Sequence, residues 1–181
     1  MSAVPLWFDR KFEFNFPVEQ YPNVCVRLRG APARLEEMLR GGAHAVLVRK
    51  PQEQGKEKWS AQEHAGHLLD LEALWMKRVE DFLSGGSELS VADLTNRGTT
   101  EANYNVRPLE EILSQFRKAR WRLVDRAQQI GPDQVRRSLF HPRLKQPMRM
   151  VDHLFFVAEH DDHHLAKIWE LIDPGFVKES Q

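Results

Sequence analysis

The feature that most constrains the fold of this chain is a set of four amphipathic segments of about 20 residues each. In each segment, apolar residues recur every three to four positions, which is the spacing of a helix that packs on one side. Helix-ending signals follow the first three segments, at Gly41-Gly42, Ser84-Gly85-Gly86 and Gly131-Pro132. No segment has a convincing strand pattern. We therefore expect an all-α protein, and four such helices predict a four-helix bundle.

The four helices have definite expected bounds. In chain order these are about Tyr21 to Arg40, Ser60 to Ser84, Pro108 to Ile130, and from after Pro147 to about Ile172. The second helix begins with a capping box, in which Ser60 and Glu63 satisfy free N–H groups of the first turn. Pro32 lies inside the first helix, so that helix either kinks or starts only after a short turn.

The length of 181 residues fits one domain. We expect an N-terminal extension at residues 1–20, the bundle at residues 21–173 and a C-terminal tail at residues 174–181. The aromatic stretch Leu6–Phe16 either packs over the bundle or forms an edge strand. Two long connections, about Gly41–Trp59 and Ser84–Arg107, are unusual in a minimal bundle, and loops of that length often cover a site.

Charge and composition exclude several classes of function. Lys and Arg (26) balance Asp and Glu (26), so no electrostatic footprint for nucleic acid or anionic lipid is visible. The longest apolar run, Leu154–Ala158, is too short to span a membrane, and charged residues near the N-terminus argue against an export signal. The single cysteine, Cys25, fits a reducing cytosol. We expect a cytoplasmic protein, and its broad apolar faces favour a homodimer.

Six of the eight histidines lie in two of the helical segments. His160 and His164 are four residues apart, so their side chains point about 40° apart and can reach one ion. Neutral imidazoles at this spacing are common ligands of zinc and nickel. His163 competes for the same role, but it falls near the polar centre of the helix, whereas His160 and His164 fall at its boundary.

Two histidines hold a metal weakly, so the site needs a third ligand. The segment after His160 has Asp161 where a zincin helix would have Glu, and no further ligand follows downstream. The third ligand should therefore come from another helix, and His67, on the flank of the second helix's apolar face, is the best candidate. The alternative is that these histidines are packed, hydrogen-bonded side chains without a metal.

Several motifs resemble the DinB/YfiT-like superfamily, over about Tyr21 to Ile172. These are Arg29-Gly30-Ala31-Pro32-Ala33-Arg34-Leu35, Trp59-Ser60 with Glu63 and His67-Leu68, Leu94-Thr95-Asn96-Arg97, Ala102-Asn103-Tyr104-Asn105, Pro108-Leu109-Glu110-Glu111, and His160-x-x-x-His164 followed by Leu165-Ala166-Lys167-Ile168. The resemblance implies a four-helix bundle with a nickel or zinc site made by His67, His160 and His164. Many members are dimers.

The resemblance also implies a function. The best-understood relatives are transferases and an isomerase that use low-molecular-weight thiols, and others are described only as metal-dependent hydrolases. We therefore expect a metal-dependent transferase or hydrolase with a small-molecule substrate, of which a low-molecular-weight thiol is one candidate. The alternative is a non-catalytic, dimeric bundle that binds a metal or a small molecule.

Carboxylates flank the expected ligands on both helices: Glu63, Asp70, Glu159 and Asp161. Such groups orient metal-bound histidines by accepting their second N–H. No general base is assigned from the sequence. The polar loop containing Asn96-Arg97 and Asn103–Asn105 either lines the pocket or only closes the bundle.

Overall fold

The computed structural model describes residues 4–53 and 55–173. Within them the α-helices are α1 (Tyr21–Leu39), α2 (His44–Leu47), α3 (Ala61–Ser84), α4 (Arg97–Glu101), α5 (Leu109–Gln128), α6 (Pro132–Arg136) and α7 (Met150–Ile172). The strands are β1 (Gln52–Glu53), β2 (Lys56–Glu57), β3 (Ser138–His141) and β4 (Gln146–Arg149), and short 3-10 turns occur at Trp7–Asp9, Val18–Gln20 and Tyr104–Val106.

The four long helices form a four-helix bundle, as the sequence predicted. Helix α1 packs against α5 and α7, and α3 packs against the same two helices. Successive long helices α1 and α3 therefore lie diagonally across the bundle, and so do α5 and α7. The connections between them have to cross the bundle, which explains their length. Helix α1 continues through Pro32, so it does not start late.

Local signals at both ends of α3 have the predicted form. The Ser60 hydroxyl accepts a hydrogen bond from the Glu63 backbone N–H at 3.1 Å, and the Glu63 carboxylate accepts one from the Ser60 N–H at 2.8 Å. Gly85 ends the helix with a φ of 92°, a left-handed conformation that glycine adopts without strain. This fixed start matters because α3 carries His67.

The described residues contain short strands that the sequence pattern did not indicate. Strands β3 and β4 form an antiparallel hairpin with Lys145, at a φ of 54°, in its turn. The last helix consequently begins at Met150 instead of directly after Pro147, which pairs with Phe140 in the hairpin. The strands escape detection because they have only four residues each, too few for a clear alternation. A second hairpin, β1–β2, has two residues in each strand.

The aromatic N-terminal stretch packs over the bundle and forms no strand within its described part, residues 4–20. Phe12 is buried in the core, and the Trp7 ring contacts Phe156 of α7 at 5.1 Å between centroids. Arg10 pairs with Glu159 of the same helix. The division of the chain at residue 20 stays a prediction, and the predicted tail at residues 174–181 lies outside the described residues.

A polar layer divides the apolar core into two clusters. One cluster contains the N-terminal part of α1, the C-terminal part of α3 and the start of α7, and the other contains the opposite ends of those helices. Cys25 belongs to the first cluster, where burial raises the pKa of its thiol to about 11. It is therefore a small apolar side chain and not a nucleophile.

Arg120 of α5 lies at the centre of this polar layer and is fully buried. Its guanidinium donates hydrogen bonds to Glu72 of α3 and Asp161 of α7, and at 3.5 Å to the backbone carbonyl of Leu28 in α1. One side chain therefore contacts all four long helices. Burial raises the pKa of Glu72 to about 7, against the opposing effect of Arg120.

Replacing Arg120 should test the importance of this layer. We expect Arg120→Met to lower the free energy of unfolding by about 3–5 kcal/mol, because two buried carboxylates lose their counter-charge. Arg126→Met is the matched control, since Arg126 of the same helix makes an exposed pair with Glu80 and should cost less than about 1 kcal/mol. Urea denaturation measures both, and equal losses would contradict the account.

Candidate metal centre

Three buried histidines from two helices come together at the edge of the polar layer. His67 of α3 is 4% exposed, and His160 and His164 of α7 are 4% and 6% exposed. Each offers a ring nitrogen, and these three nitrogens lie within 4.8 Å of one another. The Nε2 atoms of His160 and His164 are 3.2 Å apart. The sequence-predicted set is therefore brought into one cluster.

All three imidazoles are neutral at physiological pH. Burial lowers the pKa of His67 to about 4 and holds the pKa values of His160 and His164 well below the usual value. The neighbouring histidines add to the shift, because a second positive charge in the cluster would be repelled. Each ring consequently keeps one nitrogen with a free lone pair, which is the form in which histidine binds metals.

A chain of hydrogen bonds sets which nitrogen of His67 is free. The Thr99 hydroxyl donates to the Asp70 carboxylate at 2.7 Å, so its oxygen accepts the proton of His67 Nδ1 at 3.0 Å. The Tyr104 hydroxyl donates to the other oxygen of Asp70. His67 Nε2 therefore carries no proton. Asp70 was a candidate from the sequence, whereas Thr99 was missed because it lies in the loop region, on α4.

Gly66 is what allows Tyr104 to lie so close to α3. A Cβ atom at this position would overlap the Tyr104 ring, which is itself buried. Glycine is otherwise unfavourable inside a helix by about 1 kcal/mol relative to alanine. Helix α3 therefore has glycine, a residue of low helix propensity, at position 66. The glycine leaves room for the Tyr104 ring, whose hydroxyl supports the Asp70–Thr99 chain that orients His67.

His64 and His163 have positions that the sequence did not predict. His64 Nδ1 lies 2.8 Å from His164 Nδ1. When His164 Nδ1 carries the proton and donates it to His64, His164 Nε2 keeps its lone pair. His163 was expected on the polar face but is buried, because Trp7 of the N-terminal segment covers it at 5.5 Å between ring centroids. The sequence signal that places His64 near the site is its spacing of three residues from His67, which puts both side chains on one face of the helix.

The remaining carboxylates near the histidines have other partners. Glu63 caps α3 and pairs with Lys50, Glu159 pairs with Arg10 and Arg27, and Asp161 pairs with Arg120. Among the sequence candidates, only Asp70 reaches a ligand, and it does so through Thr99.

The histidines face a cavity of about 1070 Å³. Its wall includes Trp7, Trp59, Trp75 and Phe156, with all three histidines of the cluster and His64 and His163. Asn96 of the polar loop lines it, whereas Asn105 instead accepts a hydrogen bond from the Ser60 hydroxyl at 2.6 Å. A mostly apolar cavity with a few converging polar groups is typical of a small-molecule site.

The geometry defines a class: a helical bundle whose buried histidine cluster opens into one cavity. The family model of the DinB superfamily matches residues 27–168, and the chain belongs to that family. The structure is similar to that of YfiT from Bacillus subtilis, with a TM-score of 0.79 and 19% identity over 93% of this chain and 95% of that one. YfiT is described as "a probable metal-dependent hydrolase with an unusual four-helix bundle topology". No curated protein sequence matches the chain significantly.

The length and the apolar character of the helices determine whether any of them could cross a membrane. Within residues 4–53 and 55–173, none of them combines the length and the apolar character that crossing a bilayer requires.

The packing of Tyr104 on Gly66 gives a prediction with an internal control. Gly66→Ala should lower the free energy of unfolding by about 1–3 kcal/mol, because the buried ring has to move. Gly30→Ala in α1 has open space around the added methyl group and should stabilise by about 0.5–1 kcal/mol. Chemical denaturation of both variants measures the difference, and a stabilised Gly66→Ala variant would refute the packing argument.

Proposed function

We propose that this protein is a metal-dependent hydrolase of small molecules, with one divalent ion, zinc or nickel, held by His67, His160 and His164. The observation that carries the proposal is the distance between the Nε2 atoms of His160 and His164. Two ligand nitrogens of a tetrahedral ion with bonds of about 2.0–2.1 Å lie about 3.4 Å apart, and the His160 and His164 Nε2 atoms are separated by 3.2 Å. Three neutral imidazoles match the donor preference of both metals.

The chain's own residues orient the ligands. Asp70 and Thr99 hold the proton of His67 on Nδ1, so that Nε2 faces the cluster. When bound, a divalent ion there supplies the Lewis acid that makes water or a thiol nucleophilic at neutral pH. The aromatic side chains in the wall lower the polarity beside the histidines, which strengthens electrostatic interactions there.

Thiol S-transfer is the second candidate, and the size of the cavity favours it. A volume of about 1070 Å³ is at the upper end of the range for one ligand, which leaves room for a thiol and an acceptor together. The carboxylates that flank the histidines are engaged elsewhere, so the reaction requires that a bound ion lower the pKa of the nucleophile and that its proton pass to solvent. Both candidate reactions meet that requirement.

Measuring the metal content of histidine variants distinguishes the metal ligands from histidines that only lie nearby. We expect about one zinc or nickel ion per chain by mass spectrometry, and His67→Ala, His160→Ala and His164→Ala should each weaken binding by more than about 100-fold, beyond the effect of losing an orienting group. His163→Ala is the matched control and should retain the ion. Protein that takes up neither metal, or that loses it only with His163→Ala, would refute the proposed site.

Thr99 should affect metal affinity without contacting the ion. Thr99→Val keeps the shape of the side chain but removes the acceptor for His67 Nδ1, so we expect affinity to fall about 10–100-fold. Thr100→Val on the same short helix is the control, because its hydroxyl donates to the Asn96 carbonyl and not to a histidine or to Asp70. A competition titration with a chromogenic chelator measures both, and equal affinities would contradict the role of Thr99.

Activity is tested by adding metal back. Chelator-treated protein should lose hydrolysis of a panel of nitrophenyl esters, or transfer of a thiol such as cysteine to monobromobimane, and zinc or nickel should restore it. Ester hydrolysis without thiol dependence supports the hydrolase, and thiol-dependent transfer supports the second candidate. Undiminished activity of metal-free protein would overturn both.

A further inference from the structure

Hydrogen-bond donors outnumber acceptors at a second place in the same cavity, where Arg78 Nε donates to the Ser90 backbone carbonyl at 2.9 Å. The donors belong to Trp75 and Arg78 of α3, His141 of β3, and Arg143 in the turn that follows it. We refer to these four residues as the donor cluster. Arg78 lies eleven residues after His67, so it is about 16 Å farther along the helix axis. Arg78 is thus separate from the three histidines, and Trp75, which lies between, contacts His160 at 5.6 Å between ring centroids.

The tautomer of His141 makes it a donor toward Arg78. The backbone N–H groups of Arg143 and Leu144 both donate to His141 Nδ1, each at 3.2 Å. In the neutral ring the proton is therefore on Nε2. Arg78 Nη1, which can only donate, lies 3.2 Å from that Nε2. Two N–H groups consequently point to one region, and neither can accept from the other.

Two further donors of the cluster have no partner among the residues that the structure describes. Trp75 is 3% exposed, and its indole N–H is buried without a hydrogen-bond acceptor. One terminal nitrogen of Arg143 is likewise buried and unpaired. Buried donors in native proteins are nearly always satisfied, so these groups indicate an acceptor that binds from the cavity.

The two arginines also lack counter-charges. Among the side chains that the structure describes, neither guanidinium has a carboxylate oxygen within 4.0 Å, in contrast to Arg120 with its two carboxylates. Asp81 on the same helix accepts a hydrogen bond from the Ser90 N–H at 2.6 Å. Burial lowers the pKa of Arg78 to about 10, Asp81 opposes this shift and Arg143 adds to it, so Arg78 stays charged at neutral pH.

We propose that the donor cluster binds an oxyanion, the carboxylate or phosphate group of the substrate whose reacting end lies at the three histidines. The assignment to a substrate rests on the proposed function, whereas binding of the anion does not. Arginine presents a planar fork that matches both oxyanions, and His141 Nε2 supplies a further donor.

The spacing of the two sites defines the shape of the ligand. The Trp75 ring contacts His160 at 5.6 Å and lies under the Arg78 guanidinium at 5.5 Å. The Phe156 ring contacts the His141 ring at 5.4 Å between centroids, and the Arg143 guanidinium lies 5.5 Å from the Phe156 centroid. The substrate is therefore an elongated molecule with an apolar middle against Trp75 and Phe156 and an anionic group at one end.

Calorimetric titration of the full-length, chelator-treated protein tests this inference. The probes are phenyl phosphate, phenylacetate and the neutral benzyl alcohol. We expect at least one anion to bind at least about tenfold more tightly than benzyl alcohol, and Arg78→Met to remove that preference. Arg143→Met, at a half-buried position, should weaken the anion about tenfold and keeps the test valid if Arg78→Met does not fold. Arg126→Met, in an exposed pair, is the control and should change nothing.

The outcomes separate this inference from the proposed function. Tighter binding of phenyl phosphate or of phenylacetate decides between the two anionic groups, and either result supports the inference. Equal affinity for the neutral probe, or anion binding that survives both arginine substitutions, overturns it even if the histidines hold a metal. Anion binding by protein that takes up no metal overturns only the proposed function.

Discussion

The buried guanidinium of Arg120 is the interaction on which the rest of this bundle depends. It contacts α1, α3, α5 and α7 at one level, between the two apolar clusters. Its partners are Glu72, five residues after His67, and Asp161, next to His160. Apolar packing alone tolerates helices that slide along one another, whereas a charged hydrogen-bonded group buried between them requires one register. That register is the one in which His67 faces His160 and His164.

The candidate metal centre and the cavity follow from this polar layer. The histidines lie where the apolar core is interrupted, so their lone pairs face a space that no aliphatic side chain fills. Trp7, from outside the four helices, covers His163 and contacts His160 at 4.9 Å. The two ends of the cavity then differ in character: neutral imidazoles at one end and charged, donor-only groups at the other. Such asymmetry orients a ligand before any chemistry occurs.

Sequence periodicity predicted the four helices, and the spacing of His160 and His164 with the position of His67 and the family resemblance predicted the cluster. These features are local or depend on which face of a helix is apolar. The contact between Thr99 and His67 was not accessible, because it joins a loop helix to α3 through a hydroxyl that has no periodic signal. The β3–β4 hairpin was missed because its strands have only four residues each. The burial of His163 could not be predicted because it depends on where Trp7 packs. The homodimer stays a prediction.

The most direct test of the central claim is an anomalous diffraction measurement at the zinc or nickel absorption edge, on crystals of the protein grown with that metal. We expect one anomalous peak per chain, about 2.0–2.1 Å from a ring nitrogen of each of His67, His160 and His164. A peak coordinated by His163 in place of one of them, a peak elsewhere in the chain, or no peak would contradict it.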